Sequence, residues 1–141
     1  MTDDTTVRIR KMREEDVPAA MDVLDAGTGI PTLADAVARI PASTPLLVEL
    51  KERGMAAPVL DALAAHEGRV LYAAFDADAL REVRAVDPTA ELAAIAGDLR
   101  DRPIATAVER DCSAVMVRAR LAALPTVRRA ARALDLDVYV W

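Results

Sequence analysis

The sequence is poor in the residues that most mechanisms need. Its 141 residues hold one histidine, His66, and one cysteine, Cys112. One histidine excludes any mechanism in which two histidines of a single chain share the acid and base roles. One cysteine excludes an internal disulfide, which fits a reducing, cytoplasmic setting, and one of each excludes a closed Cys/His metal site. Aromatic residues make up only 3%, so no aromatic platform for stacking bases is available. Lysine is confined to Lys11 and Lys51 among 18 basic residues, against 23 acidic ones. The net charge of −5 and pI near 4.9, with no basic cluster, leave no footprint for nucleic acid and no attraction to anionic lipid. No stretch approaches the ~20 unbroken apolar residues of a membrane span. The N-terminus places Asp3 and Asp4 ahead of its first base and has no apolar core, so no signal peptide is read there. No glycine precedes a Lys-Ser/Thr pair, so there is no P-loop.

Apolar residues, at 53%, against 29% charged ones describe a globular chain with a hydrophobic core. The length suits one domain, residues 1–141, and excludes a complete (β/α)8 barrel of ~250 residues. The heavy use of alanine, arginine and aspartate fits GC-rich coding or the acidic surface of a salt-adapted protein equally well.

Five short apolar runs are spaced along the chain: Thr44 to Leu50, Arg69 to Phe75, Glu91 to Ala96, Ser113 to Val117 and Asp137 to Trp141. Runs apolar on both faces are the signature of parallel strands buried on both sides. Helical segments lie between them. Pro31, Thr32 and Asp35 form a capping-box-like start. Met55 to Ala65 presents Val59, Leu60 and Leu63 at helical spacing. Asp76 caps a helix carrying Leu80, Val83 and Val86. Pro103 sits early in Ile104 to Arg110, and Pro125 opens Thr126 to Leu134. The alternation predicts an α/β fold with right-handed parallel crossovers. Residues 1–21 diverge from this pattern: Thr6 to Met12 alternates like an exposed strand, and Glu14 to Leu24 reads as a helix.

Four phrases occur in an order seen in one family. They are Gly29-Ile30-Pro31-Thr32-Leu33-Ala34-Asp35-Ala36, Val48-Glu49-Leu50-Lys51, Phe75-Asp76 followed by Ala79-Leu80-Arg81, and Val138-Tyr139-Val140-Trp141. Together they resemble the C-terminal half of the glycerophosphodiester phosphodiesterase family, a TIM barrel, over about residues 22–141. The resemblance implies a partial TIM-type (β/α) barrel with about five parallel strands alternating with helices. It also implies phosphoric diester hydrolysis in glycerophosphodiester and lipid metabolism, with a divalent metal, Mg or Ca, as cofactor. Carried over residue by residue, Glu49 corresponds to a metal-ligating glutamate, Lys51 to the lysine facing the phosphate, and Trp141 to a tryptophan lining the substrate end of the last strand. Residues two apart on a strand point the same way, so Glu49 and Lys51 share one side of a strand mouth. By itself a Glu-x-Lys at a strand end is an ordinary solvated strand exit.

The departures concern the chemistry. The family's His-Arg-Gly, Glu-Asn-Thr, Glu-x-Asp and His-Asp phrases do not occur, Ala74 stands where the family has serine, and Asp135 where it has glycine. His66 follows a helix and precedes a strand, which places it at the opposite mouth. Cys112 reads as a small buried residue, with a catalytic thiol as the alternative. Asp76 and Asp78 read as a helix cap and a first-turn charge.

No catalytic residue is assigned from the sequence. The expectation is a truncated phosphodiesterase-like protein, inactive or weakly active alone, that takes a glycerophosphodiester or another small phosphodiester. Two alternatives stay open. One is a non-catalytic module that associates, as a homo-oligomer or with another chain, through open barrel edges. The other is an acyltransferase-like protein, judged from residues 7–24, because "REEDVPAAMDVL" after a strand is how many acetyl-coenzyme-A-dependent acyltransferases begin.

Overall fold

Short apolar runs separated by capped helices give the chain only one economical packing, strands side by side with helices over them. The computed structural model describes residues 31–141. The segments read as a strand at residues 6–12 and a helix at 14–24 lie outside the described residues, and so does the basis of the acyltransferase alternative.

The order begins with helix α1 (Leu33–Val37), strand β1 (Leu46–Glu49), α2 (Ala56–Leu63) and β2 (Val70–Ala74). It continues with α3 (Ala77–Val86), β3 (Glu91–Ala96), a 3-10 turn (Leu99–Asp101), α4 (Pro103–Glu109) and β4 (Ala114–Val117). The last elements are α5 (Ala119–Ala122), α6 (Pro125–Ala133) and β5 (Asp137–Val140). The five strands form one parallel sheet in the order β1-β2-β3-β4-β5. This is the parallel α/β arrangement expected from the alternation, and the partial α/β barrel that the resemblance implies.

The helix starts follow from local chemistry. Thr32 Oγ1 accepts from the Asp35 amide at 3.1 Å, and the Asp35 carboxylate accepts from the Thr32 amide at 3.2 Å, closing the expected capping box. The Thr32 hydroxyl beside it holds the Asp35 carboxyl below its ordinary range. Asp76 caps α3 by accepting from the Asp78 amide at 2.9 Å. Pro103 and Pro125 occupy first-turn positions. Asp135 turns the chain from α6 into β5 with φ 53°, a left-handed conformation that aspartate tolerates and that accounts for glycine at such a position.

Two apolar layers sit on the two faces of the sheet. The outer layer joins Tyr72, Leu92, Val115 and Val117 to helix residues such as Val59, Leu80, Val83 and Ala107. The inner layer is made of strand residues alone: Leu71, Ala73, Ala93, Ile95 and Ala114, with Leu47, Met116 and Tyr139 packed on them. A flat sheet would leave that inner face in water. Strands β2 and β5 would also stand ~14 Å apart in a flat sheet, three spacings of about 4.8 Å. Instead the Phe75 and Trp141 rings that follow them touch, with centroids 6.0 Å apart. Arg69, just before β2, reaches Asp137 at 3.9 Å. Leu47, Leu71 and Tyr139 share one small cavity of about 20 Å³, room for a single water. The sheet is therefore curled, and its inner side is a packed core rather than a ligand cavity. Three alanines, Ala73, Ala93 and Ala114, stand opposite one another in register across β2, β3 and β4, where curvature leaves least space.

Three details depart from expectation. Burial on both faces holds for β2 and β3 but not for the edge strands: β1 is half-buried throughout, and β5 exposes Asp137, Val138 and Val140. Val86 does not join Leu80 and Val83 in the core and is exposed. Three-residue spacing rotates by about 60° per step, so the third member leaves the buried face. The chain carries no basic cluster by net charge, yet α6 lines two adjoining open clefts with Arg128, Arg129 and Arg132. Asp135 and Asp137 share the first of these clefts.

Candidate functional site: the C-terminal mouth of the sheet

Alternation along each strand decides what reaches the mouth. The inward residues run Leu47 to Glu49, Leu71 through Ala73 to Phe75, Ile95 to Gly97, Met116 to Arg118, and Tyr139 to Trp141. Each strand thus delivers one residue of distinct chemistry just beyond its buried layer. The ladder continues into this rim, since the Leu50 amide donates to Ala73 at 2.8 Å and the Trp141 amide to Val117 at 3.2 Å.

Glu49 and Lys51 lie together there, as their spacing requires. Lys51 Nζ donates to Glu49 Oε1 at 2.6 Å. The lysine is largely exposed, and the glutamate is about one-quarter exposed. Trp141 stands on the same mouth at the far edge strand, edge-on to Phe75 at an interplanar angle of 86°. The Arg118 guanidinium carbon sits 4.9 Å above the Trp141 ring, a cation–π contact. All three predicted residues therefore share one mouth, and two more, Phe75 and Arg118, join them. Both were findable in principle as the residues two beyond Ala73 and Met116, but strand periodicity does not show the curl that brings them to Trp141, which only the resemblance to a barrel implies.

The loops behind the rim are braced by charge. Arg53 Nε donates to Asp76 Oδ2 at 2.6 Å, and Arg53 Nη1 lies 2.9 Å from Asp78. The Arg53 hydrogen bond holds the Asp76 carboxyl below its usual range, and the Asp78 amide adds to this. The Gly54 amide donates to Glu82 at 2.6 Å, from a backbone at φ 78° that favours glycine. Asp76 and Asp78 are thus committed to a cap and to ion pairs, as expected. Arg120 Nη2 donates to the Gly97 carbonyl at 3.2 Å and lies 3.9 Å from Asp98.

His66 lies at the other mouth, as its position between helix and strand implies. Its Nε2 donates to the Thr44 carbonyl at 2.7 Å, so the ring has a structural contact far from the rim. Cys112 is buried, and burial pushes its thiol up to about 11. A thiol held protonated at neutral pH is a poor nucleophile, which favours the structural reading of Cys112.

A hard divalent cation asks for six or more oxygen ligands, several of them from protein. Among the described residues no three His, Cys, Asp or Glu side chains gather in a way that could hold one. Glu49 is itself engaged by Lys51, so the donor set described does not fit a metal centre. No helix among the described residues is long and apolar enough to cross a membrane. A scan against protein-family models finds no match, and a search of curated proteins finds no similar one.

Proposed function

We propose that this chain is a glycerophosphodiester phosphodiesterase-like protein whose C-terminal strand mouth binds a glycerophosphodiester or another small phosphodiester. The observation that supports the reading is the meeting of Glu49, Lys51 and Trp141 on one mouth of one curled sheet. They come from phrases up to 92 positions apart (49 to 141). In this reading cationic groups complement the phosphate, and Phe75 with Trp141 walls the organic portion. The Mg or Ca ion that the resemblance implies is not used, because the described donors do not fit it. The reading is therefore one of binding, with little or no hydrolysis by this chain alone, in a cytoplasmic setting that goes with its lone cysteine.

Trp141 is the sole tryptophan, so its emission reports on the mouth directly. Glycerophosphocholine is expected to change that emission saturably, while choline alone does not. Release of glycerol 3-phosphate with added Mg or Ca is expected to stay at background. An emission that never responds would overturn the binding reading. Robust metal-dependent turnover, lost in Glu49→Ala, would replace it with an enzymatic one.

A second reading, an assembly module, is supported by the sheet edges. Neither β1 nor β5 has an outer strand partner among the described residues, and β5 exposes Val138 and Val140. Light scattering after size exclusion separates the two: a dimer or larger species supports assembly, and a monomer counts against self-association.

A further inference from the structure

Two cations face this mouth on the inner register, and they differ in what already occupies them. Lys51 is paired with Glu49 at 2.6 Å, so an incoming anion must compete with a carboxylate for it. Arg118 has no carboxylate partner among the described residues. Its neighbours are held otherwise: Arg120 by Asp98 and the Gly97 carbonyl, Arg53 by Asp76 and Asp78.

The Arg118 side chain is also oriented before any ligand arrives. The guanidinium carbon sits 4.9 Å from the centroid of the Trp141 ring. Gly97 lies close by, where an added Cβ would come within 3.6 to 3.8 Å of Nε, Cζ and Nη2. A guanidinium held over a ring by a cation–π contact is restrained, while its N–H donors lie in its own plane and stay available to an anion. Such a fork matches two oxygens of one phosphate, and fixing it beforehand reduces the entropy lost on binding. The aromatic pair Phe75 and Trp141 lies directly beside it.

We propose that Arg118, rather than Lys51, is the principal phosphate-holding residue of this mouth. The ligand class is a phosphate ester whose organic part lies against Phe75 and Trp141. The inference rests on the reading of the mouth as a phosphodiester site and assigns the cation within it. Gly97 borders the guanidinium at ordinary contact distance.

Calorimetric titration of the full chain with inorganic phosphate and, separately, with glycerophosphocholine tests this. Both ligands are expected to bind, glycerophosphocholine more tightly. Arg118→Gln should weaken both by about tenfold or more, the loss of a bidentate charge-assisted contact. Arg118→Lys should restore only part, because an ammonium keeps the charge but loses the fork. Lys51→Gln should change either affinity by less than about threefold, since its charge is already matched. Arg118 is exposed, so an unchanged melting curve for Arg118→Gln shows that the fold is retained. If Lys51→Gln costs more than Arg118→Gln, or Arg118→Gln binds glycerophosphocholine like the parent, the assignment of Arg118 is overturned while the phosphodiester reading stands. If phosphate binds through Arg118 and glycerophosphocholine binds no better, the phosphodiester reading fails and Arg118 remains an anion site. Absence of binding by the parent chain to both ligands overturns both.

Discussion

Ala93→Asp is expected to cost about 3–5 kcal/mol, enough to unfold most of a domain of ordinary stability. Ala93 is fully buried at the centre of β3, paired in register with Ala73 on one side and Ala114 on the other. The inner layer around it is apolar, with Leu71 and Ile95 as neighbours in the same cluster. A carboxylate placed there either stays charged without a partner or takes up a proton at a raised pKa. The raised pKa sets the sign of the pH dependence. The variant's deficit should be largest at pH 7, where only the unfolded chain ionises freely, and should shrink as the pH falls towards and below about 4, where the unfolded chain's carboxyl also takes up a proton. Val138→Asp, on the exposed face of β5, is the control and should stay within about 1 kcal/mol of the parent. Urea denaturation followed by circular dichroism measures all three. A tolerated Ala93→Asp would mean that the inner side is open to water and the curl is wrong.

Leu92→Ala tests the other layer. Leu92 is fully buried on the outer face of the same strand, in the cluster that joins the sheet to Leu80, Val83 and Ala107. Removing it should cost about 2–5 kcal/mol, the transfer of the side chain plus the cavity left behind. The midpoint should fall with little change in slope, because the surface exposed on unfolding is nearly the same. Leu99→Ala, half exposed in the 3-10 turn, should be close to neutral. A loss below about 1 kcal/mol for Leu92→Ala would show that the helices do not seal this face. Neighbouring residues 92 and 93 thus probe opposite layers of one strand.

The strands were the most legible part of the sequence, because short apolar runs between capped helices have few other uses. The least apolar-looking of them, Glu91 to Ala96, turned out to be the central strand. Its alanines are weak in hydropathy but small enough for the inside of a curled sheet, a steric requirement that a hydropathy pattern does not carry. The edge strands look buried in the sequence, since their composition matches that of interior strands and only the pairing order distinguishes them. Helix α5, one turn over Ala119–Ala122, is too short to leave a periodic pattern in the sequence. At the mouth, Glu49, Lys51 and Trp141 are marked by resembling phrases, and spacing adds only that the first two share one side of their strand. Phe75 and Arg118 were not, because their role depends on three strand ends converging in space.

That convergence also alters how charge is distributed at the mouth. Reading Glu49 and Lys51 along the sequence suggests a cation waiting for phosphate, but the 2.6 Å contact between them makes the pair close to self-neutral. The cation left without a carboxylate among the described residues is Arg118, oriented by Trp141 and with Gly97 close beside it. Electrostatic complementarity at this mouth therefore lies nearer β4 and β5 than β1.

The central claim, that a phosphate ester is held at the C-terminal mouth, is tested most directly by amide and indole nuclear magnetic resonance shifts during titration with glycerophosphocholine. The account predicts saturable shifts concentrated on the Trp141 indole, Phe75, Gly97 and Arg118, with His66 at the opposite mouth unmoved. Shifts confined to Arg128, Arg129 and Arg132 on α6, or no shifts at the mouth at saturating ligand, would contradict it.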